Sequence, residues 1–340
     1  MIDLRSDTVT KPTDAMRAAM ATAEVGDDMF GEDPTVAKLE ATIAKRLGKE
    51  RALFVPSGSM GNLLGIRVHC GPGDEFLAEE SCHILRYEQG SYAQVWGVAV
   101  QAIPGQRGIL EPEQLVDRIR RVDMHCAQTR LVCLENTHNY GGGTIQPIEA
   151  VQEICQWAAT HGLKRHLDGA RLFNAVVATG IAAKDWAQHF DTVSVCFSKG
   201  LGAPVGSALC GTAEHIERAR WHRKALGGAM RQAGILAAGA LYGLENHTDR
   251  LAEDHANALT LAQAISEAEG LTLAGEVQTN LVFFDVDERL GTAEQFNAKL
   301  AERGVLMFDV APQKMRAVTH LGVTAEEVRQ AGGILKELSR

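Results

Sequence analysis

Short apolar runs bounded by glycine, proline or polar turns alternate, through about residue 250, with stretches whose apolar positions recur every three or four residues. The runs predict strands at residues 53–55, 75–78, 95–103, 130–134, 165–167, 192–197 and 208–211. The helical spacing predicts helices over 14–22, 35–47, 60–68, 111–121, 148–161 and 170–179; in the second of these, Val36, Leu39, Ile43 and Leu47 share one face, Thr35 is the expected cap and Gly48 the stop. Strands alternating with helices imply an α/β fold, a mostly parallel sheet covered on both faces. A basic helix near residues 218–224 and an alanine-rich one reaching residue 245 follow. From residue 250 the character changes: a helix over 251–268, strands at 281–286, 305–309 and 315–319, and helices at 293–302 and 325–338 predict a small α+β unit. The expected organisation is therefore an N-terminal arm (1–15), a large domain (16–249) and a small C-terminal domain (250–340).

Ligands of such sheets bind at the carboxyl ends of the strands, and the candidate chemistry falls there. Lys199 closes the strand over 192–197 and is followed by Gly200 and Gly202, which free the backbone to turn. An amine at the rim of a core, where burial disfavours the ammonium form, is suited to attack a carbonyl and form a Schiff base; the local string equally fits a surface lysine after a strand. Ser57, Gly58 and Ser59 precede a helix whose first amides and dipole favour an anion such as phosphate, although a plain strand-to-helix turn with a serine cap reads the same. Asp168 closes the strand at 165–167, either capping the next helix or facing a heterocyclic nitrogen. Arg171 lies one turn further on, His83 follows the strand at 75–78, and Lys224 adjoins a Gly-Gly turn. An aldehyde cofactor on a pyridine ring needs this combination: an amine, a carboxylate for its ring nitrogen, amides for its phosphate and a flat surface against its ring.

Composition narrows the class. The 340 residues are 45% hydrophobic and 23% charged, as in a globular protein, and the net charge of −9 argues against nucleic acid or an anionic membrane as partner. The charged start and the absence of an apolar run of about 20 residues predict a cytoplasmic protein. Seven cysteines without a Cys-x-x-Cys pair fit reduced, mostly buried thiols, and without a His-Glu-x-x-His pattern no metal site is expected.

Seven motifs together resemble the L-threonine aldolases, pyridoxal-phosphate enzymes of the aspartate-aminotransferase fold type. They are Ser6-Asp-Thr-Val-Thr10, Gly26-Asp-Asp-Met-Phe-Gly-Glu-Asp-Pro34, Pro56-Ser-Gly-Ser-Met-Gly-Asn62, Glu135-Asn-Thr-His-Asn139, His166-Leu-Asp-Gly-Ala-Arg171, Ser198-Lys-Gly-Leu-Gly202 and Gly227-Gly-Ala-Met-Arg-Gln232. The resemblance implies fold type I, with pyridoxal 5'-phosphate held by Lys199 as an aldimine, Asp168 at the pyridine nitrogen and Arg171 at the ring oxygen. Ser57, Gly58, Ser59 and Lys224 would bind the phosphate. It also implies that His83 stacks on the ring and lies, with His125, near the substrate hydroxyl, and that Ser6, Arg231 and Arg316 meet the substrate carboxylate. The implied assembly is a homotetramer with sites between subunits, so that a neighbour can supply some of these groups. Departures from the pattern, such as Ser59 for threonine and Phe30 for tyrosine, remove no catalytic group.

The implied reaction is cleavage of L-threonine or L-allo-threonine to glycine and acetaldehyde, reversible as addition of glycine to aldehydes. The nearest alternative is a β-eliminating amino-acid lyase of the same fold, which would release ammonia and a keto acid. A non-catalytic cofactor-binding protein is a third reading, disfavoured by the presence of Lys199, Asp168, Arg171 and Arg316 together. Pro204 speaks against a dinucleotide-binding reading of the glycine-rich run at 200–206.

Overall fold

The computed structural model describes residues 1–340. Eight strands precede residue 212: β1 (Ile2–Asp3), β2 (Arg51–Val55), β3 (Asp74–Glu79), β4 (Ala99–Ile103), β5 (Gln128–Glu135), β6 (Lys164–Gly169), β7 (Thr192–Cys196) and β8 (Ser207–Gly211). Seven of them form one sheet in the order β2-β8-β7-β6-β5-β3-β4. All neighbours are parallel except β8, which runs antiparallel to both β2 and β7. Helices cover both faces, and β7 and β8 are buried along their whole length. Their small and β-branched residues suit strands covered on both sides, with Thr192, Ser194 and Ser207 as buried polar exceptions.

The C-terminal part forms a second, antiparallel sheet in the order β12-β13-β10-β9, from β9 (Leu271–Leu273), β10 (Leu281–Val286), β12 (Phe308–Ala311) and β13 (Lys314–Val318). Between them, β11 (Val305–Leu306) pairs in parallel with β1. The first residues of the arm thus belong physically to the C-terminal core, which contains Ile2 and Leu4 beside Phe284, Phe296 and Leu335. The helix Leu251–Ser266 serves both cores: Leu251 packs into that of the central sheet, and Ala258, Leu261 and Ile265 into the C-terminal one.

Three expected elements differ. The helix expected over 111–121 is a single turn at Pro112–Leu115, because Asp117 takes a left-handed φ of 65° that no helix tolerates. The strand expected over 95–103 begins only at Ala99; a helix Ser91–Trp96 precedes it and stops at left-handed Gly97. The helix expected from Thr35 starts at Pro34 instead, capped by the Asp33 carboxylate, which accepts the Thr35 and Val36 amides.

One buried ion pair ties arm, central sheet and C-terminal part together. Arg171 donates from Nε and Nη2 to the two oxygens of Asp7, both at 2.7 Å, and from Nη1 to Asn139. Asn280 donates to Asp7 and to the Thr319 carbonyl, and accepts from Asn174. Asp7 is completely buried. Burial works to raise its pKa, but the charge and hydrogen bonds of Arg171 outweigh it and hold the carboxyl well below its ordinary range. Its stabilising contribution is therefore complete above the unfolded value near 3.8 and is lost only as pH falls through the lower folded value. Asp7→Ala strands a buried guanidinium and should cost about 3–5 kcal/mol. Denaturant unfolding at neutral pH checks it; a loss below about 1 kcal/mol would show that the pair does not hold the three parts together.

Candidate active site

Two cavities, of about 310 and 260 Å³, open at the carboxyl ends of the central strands and share Lys199 and His83 in their walls. The sheet and its loops place every group. Strand β7 carries the chain into the turn that holds Lys199, whose carbonyl accepts from the Gly202 amide and from the Thr10 hydroxyl of the arm. The left-handed φ of Gly202, 77°, completes that turn.

The smaller cavity is lined by Ser57, Gly58, Ser59, Asn62, Glu88, Asp168 and Cys196, among others. Ser57 caps the helix Gly58–Arg67 by accepting the Met60 amide, which leaves the amides of Gly58 and Ser59 without a partner inside the helix. A side chain at Gly58 would put its Cβ 2.7 Å from Cys196 Sγ, so only glycine lets the backbone line this space. Asp168 accepts from the Ala170 amide at 3.0 Å and from Asn62 Nδ2 at 2.8 Å. The same Asn62 nitrogen donates to Glu88 at 2.8 Å, and Glu88 meets His83 Nδ1 at 2.8 Å. His83, Glu88 and Asp168 thus hold ligand-type atoms within 4.8 Å of one another. Both carboxylates already accept from Asn62, so the cluster reads as a hydrogen-bonded set around an amide.

The larger cavity is walled by Ser6, Thr8, His83, Tyr87, Asn139, Arg171, Phe308 and Arg316. Arg316 donates to the Arg5 carbonyl at 3.0 Å, but its buried Nε has no partner and no carboxylate pairs with it. Burial and the neighbouring Arg171 charge lower its pKa. An uncompensated, largely buried guanidinium in a cavity wall fits an incoming carboxylate. Glu135 secures the opposite side: it accepts the backbone amides of His83 at 2.6 Å and Asn139 at 2.8 Å. Buried His138 in turn sits 2.9 Å from Glu79 and 3.7 Å from Glu135. Burial would lower the His138 pKa, yet the two carboxylates raise it overall.

The structure therefore brings Ser6, Ser57, Gly58, Ser59, His83, Asp168, Arg171, Lys199 and Arg316 to these two cavities. Arg171 is there with three of its donor atoms engaged by Asp7 and Asn139, so its first task is to anchor the arm. His125, Lys224 and Arg231 line neither cavity of their own chain. His125 is exposed in the irregular stretch after residue 116, Lys224 is exposed in the helix Ala213–Ala225, and exposed Arg231 pairs with Asp27. Sequence reasoning assigned no role to Asn62, Glu88, Glu135 and Asn139. Asn62, Glu135 and Asn139 stand in motifs already singled out, and an asparagine amid the apolar positions of a buried helix was the available signal; Glu88 carried none.

A family model for beta-eliminating lyases matches residues 3–289. Low-specificity L-threonine aldolase 1 of Arabidopsis thaliana is 43% identical over 96% of this chain and 93% of its own length. The low specificity L-threonine aldolase of Escherichia coli K12 is 42% identical over 97% of both chains. Among solved structures, a threonine aldolase of Leishmania major superposes with a TM-score of 0.87 over the whole of both chains at 22% identity, a likeness of fold. The architecture is thus that of the fold type I pyridoxal-phosphate enzymes, as expected from the motifs. Within that class the chain belongs to the beta-eliminating lyase family.

His83 provides a test of these contacts. Burial lowers its pKa, but the hydrogen bond to Glu88 and the charge of Asp168 raise it further than burial lowers it, against the opposing charge of Lys199. Glu88→Gln removes the nearest charge and should move the His83 titration to lower pH. Histidine C2–H NMR on cofactor-free protein reads this, and an unmoved or upward-shifted titration would show that Glu88 does not govern the imidazole.

Proposed function

We propose that the protein is a pyridoxal-phosphate-dependent L-threonine aldolase, which cleaves L-threonine, L-allo-threonine and related β-hydroxy-α-amino acids to glycine and an aldehyde. The observation that carries this reading is the pair of adjoining cavities sharing Lys199 and His83, one with a carboxylate and helix amides, the other with an unpaired arginine. The names of the relatives favour it over a β-eliminating activity on the same fold.

The residues of the smaller cavity fit the cofactor. Lys199 is the amine for its carbonyl, Asp168 the carboxylate for its ring nitrogen, His83 the flat surface against its ring, and the free amides of Gly58 and Ser59, with the Ser59 hydroxyl, the donors for its phosphate. When bound, pyridoxal phosphate supplies a carbonyl that condenses with amines and a ring that accepts an electron pair from the substrate α-carbon. The protein's part is binding, orientation and proton movement. Arg316 and the Ser6 hydroxyl take the substrate carboxylate, which fixes the α-carbon between the two cavities. Because Nδ1 of His83 is held by Glu88, its Nε2 is the nitrogen left to act. A neutral His83 takes the β-hydroxyl proton, directly or through a water, as the Cα–Cβ bond breaks and the aldehyde departs. A proton returned to the α-carbon completes glycine.

The remaining residues belong to the assembly. Lys224, Arg231 and His125 reach the site of a neighbouring subunit in a homotetramer, Lys224 to the cofactor phosphate, Arg231 to the substrate carboxylate and His125 to its hydroxyl. The support is where they sit: Met124, 93% exposed, and Trp221, 74% exposed, stand near His125 and Lys224 in sequence, and Phe30, 74% exposed, follows the Asp27 that pairs with Arg231. Residues 16–249 act as the cofactor-binding part and 250–340 as the part that brings Arg316 to the site. We read the location as cytoplasmic. All seven cysteines are unpaired, and no helix is long and apolar enough to cross a membrane.

Acetaldehyde release from L-threonine and L-allo-threonine, with pyridoxal phosphate supplied, tests the activity. Wild type should release acetaldehyde and glycine, and Lys199→Ala should not; ammonia and a keto acid in their place would establish the β-eliminating reading. Arg316→Gln should raise KM about ten- to a hundredfold, and an unchanged KM would remove Arg316 from the carboxylate site. For the assembly, Lys199→Ala and Lys224→Ala subunits, each inactive alone, should regain activity when mixed and reassembled. Mixtures that stay inactive would place Lys224 outside its neighbour's site.

A further inference from the structure

A line of polar side chains runs from the far end of the sheet to Asp168. On β6, His166 and Asp168 point to the same face because strand side chains alternate. On β7, Thr192 pairs directly with His166 and Ser194 with Asp168. The helix Gly58–Arg67 packs over this face with Gly61, Asn62 and Gly65. A Cβ at Gly65 would lie 2.4 Å from the His166 ring, and one at Gly61 would lie 2.4 Å from Ser194 Oγ. The helix is therefore glycine-thinned where it covers the polar line. His69 Nε2 lies 3.0 Å from Thr192 Oγ1, which lies 2.9 Å from His166 Nδ1. His166 Nε2 lies 3.2 Å from Asn62 Oδ1, and Asn62 Nδ2 is 2.8 Å from Asp168.

Hydrogen-bond chemistry gives this line one direction. Asn62 turns its NH₂ to the carboxyl oxygens of Asp168 and Glu88, and its Oδ1 therefore points at His166. His166 Nε2 must then carry a hydrogen to donate to that oxygen. The ring is wholly buried, and burial pushes its pKa down to about 4, so at neutral pH it carries one proton and Nδ1 is bare. Thr192 consequently spends its only hydrogen on His166 and accepts from His69. An amide cannot pass a proton along, so the line transmits polarisation rather than protons.

We propose that His69, Thr192, His166 and Asn62 form a one-way chain of donors aimed at Asp168, which fixes its carboxylate in orientation. Asn62 touches Asp168 directly; His166, Thr192 and His69 are positioning residues that act through it. Each bond in such a chain strengthens the next, and a charged acceptor at its end gains most. Asn62 also donates to Glu88, so the same chain steadies the acceptor that holds His83. The inference rests on the proposed function only for the role of Asp168, and the proton positions can be read without it.

Neutron diffraction from deuterated crystals of the full chain reads those positions directly. We expect deuterium on Nε2 of His166 and none on Nδ1, the Thr192 hydroxyl turned to His166, and deuterium on Nε2 of His69. A deuteron on Nδ1 of His166, whether alone or with Nε2 also occupied, overturns the proposal. The second measurement is equilibrium binding of pyridoxal phosphate to cofactor-free protein. Thr192→Val keeps shape and removes the hydroxyl, and should weaken binding about three- to tenfold, whereas Thr192→Ser should stay within about twofold of wild type. Wild-type binding by the valine variant, or equal loss in the serine variant, overturns the proposal. If the valine variant fails to fold, the proton positions decide alone.

Discussion

The Asp7–Arg171 pair is the constraint on which the site's construction depends. Its partners come from an N-terminal arm, from the turn after a central strand and, through Asn280, from the C-terminal part. Removing two charges from water is costly unless each is fully paired, and here both carboxylate oxygens and three guanidinium nitrogens are engaged. A geometry so demanding leaves little freedom in how the three pieces meet. Ser6 and Thr8 are held in the cavity wall beside Asp7, and Arg316 is drawn against the arm by its bond to the Arg5 carbonyl. Residues remote in sequence thereby share one cavity.

A second constraint is the polar face inside an otherwise apolar sheet. Strands buried on both sides ordinarily read as unbroken hydrophobic runs, yet β6 carries His166 and Asp168, both fully buried. Every polar atom brought there needs a partner, and the helix above supplies it through Asn62 while shedding side chains at Gly61 and Gly65. The cofactor-side chemistry and the packing of that helix are one problem with one solution.

Much of this was legible in the sequence because it depends on local pattern. Lys199 and Asp168 stand at strand ends that the apolar runs mark, and Ser57 caps a helix where a turn was expected. The alternation of strand and helix was enough to place them on one edge of a sheet. What was not legible depends on tertiary neighbours. Glu88 is an acidic residue in a polar stretch until the fold buries it against His83 and Asn62. Arg171 lay at the expected spacing, but its engagement with Asp7 depends on the path of an arm that no local signal traces. The stretch after Pro112 has apolar residues at helical spacing, and still the chain turns away at Asp117. His125, Lys224 and Arg231 show the limit of a single chain, since their proposed roles lie on another subunit's site.

The pairing of β1 with β11 also bears on how the protein is made. Ile2 finds its partner in Val305, and Leu4 hydrogen-bonds both Leu306 and Val318. During synthesis Ile2 and Leu4 must wait, unpaired, until residues 305–318 have been made. The central sheet can form earlier from its own segments, but the arm that carries Ser6 and Asp7 docks last. Contacts so distant in sequence are slow to close and leave apolar surface open meanwhile. Arg171 meets its counterion only when the arm docks, so the larger cavity is completed by that step.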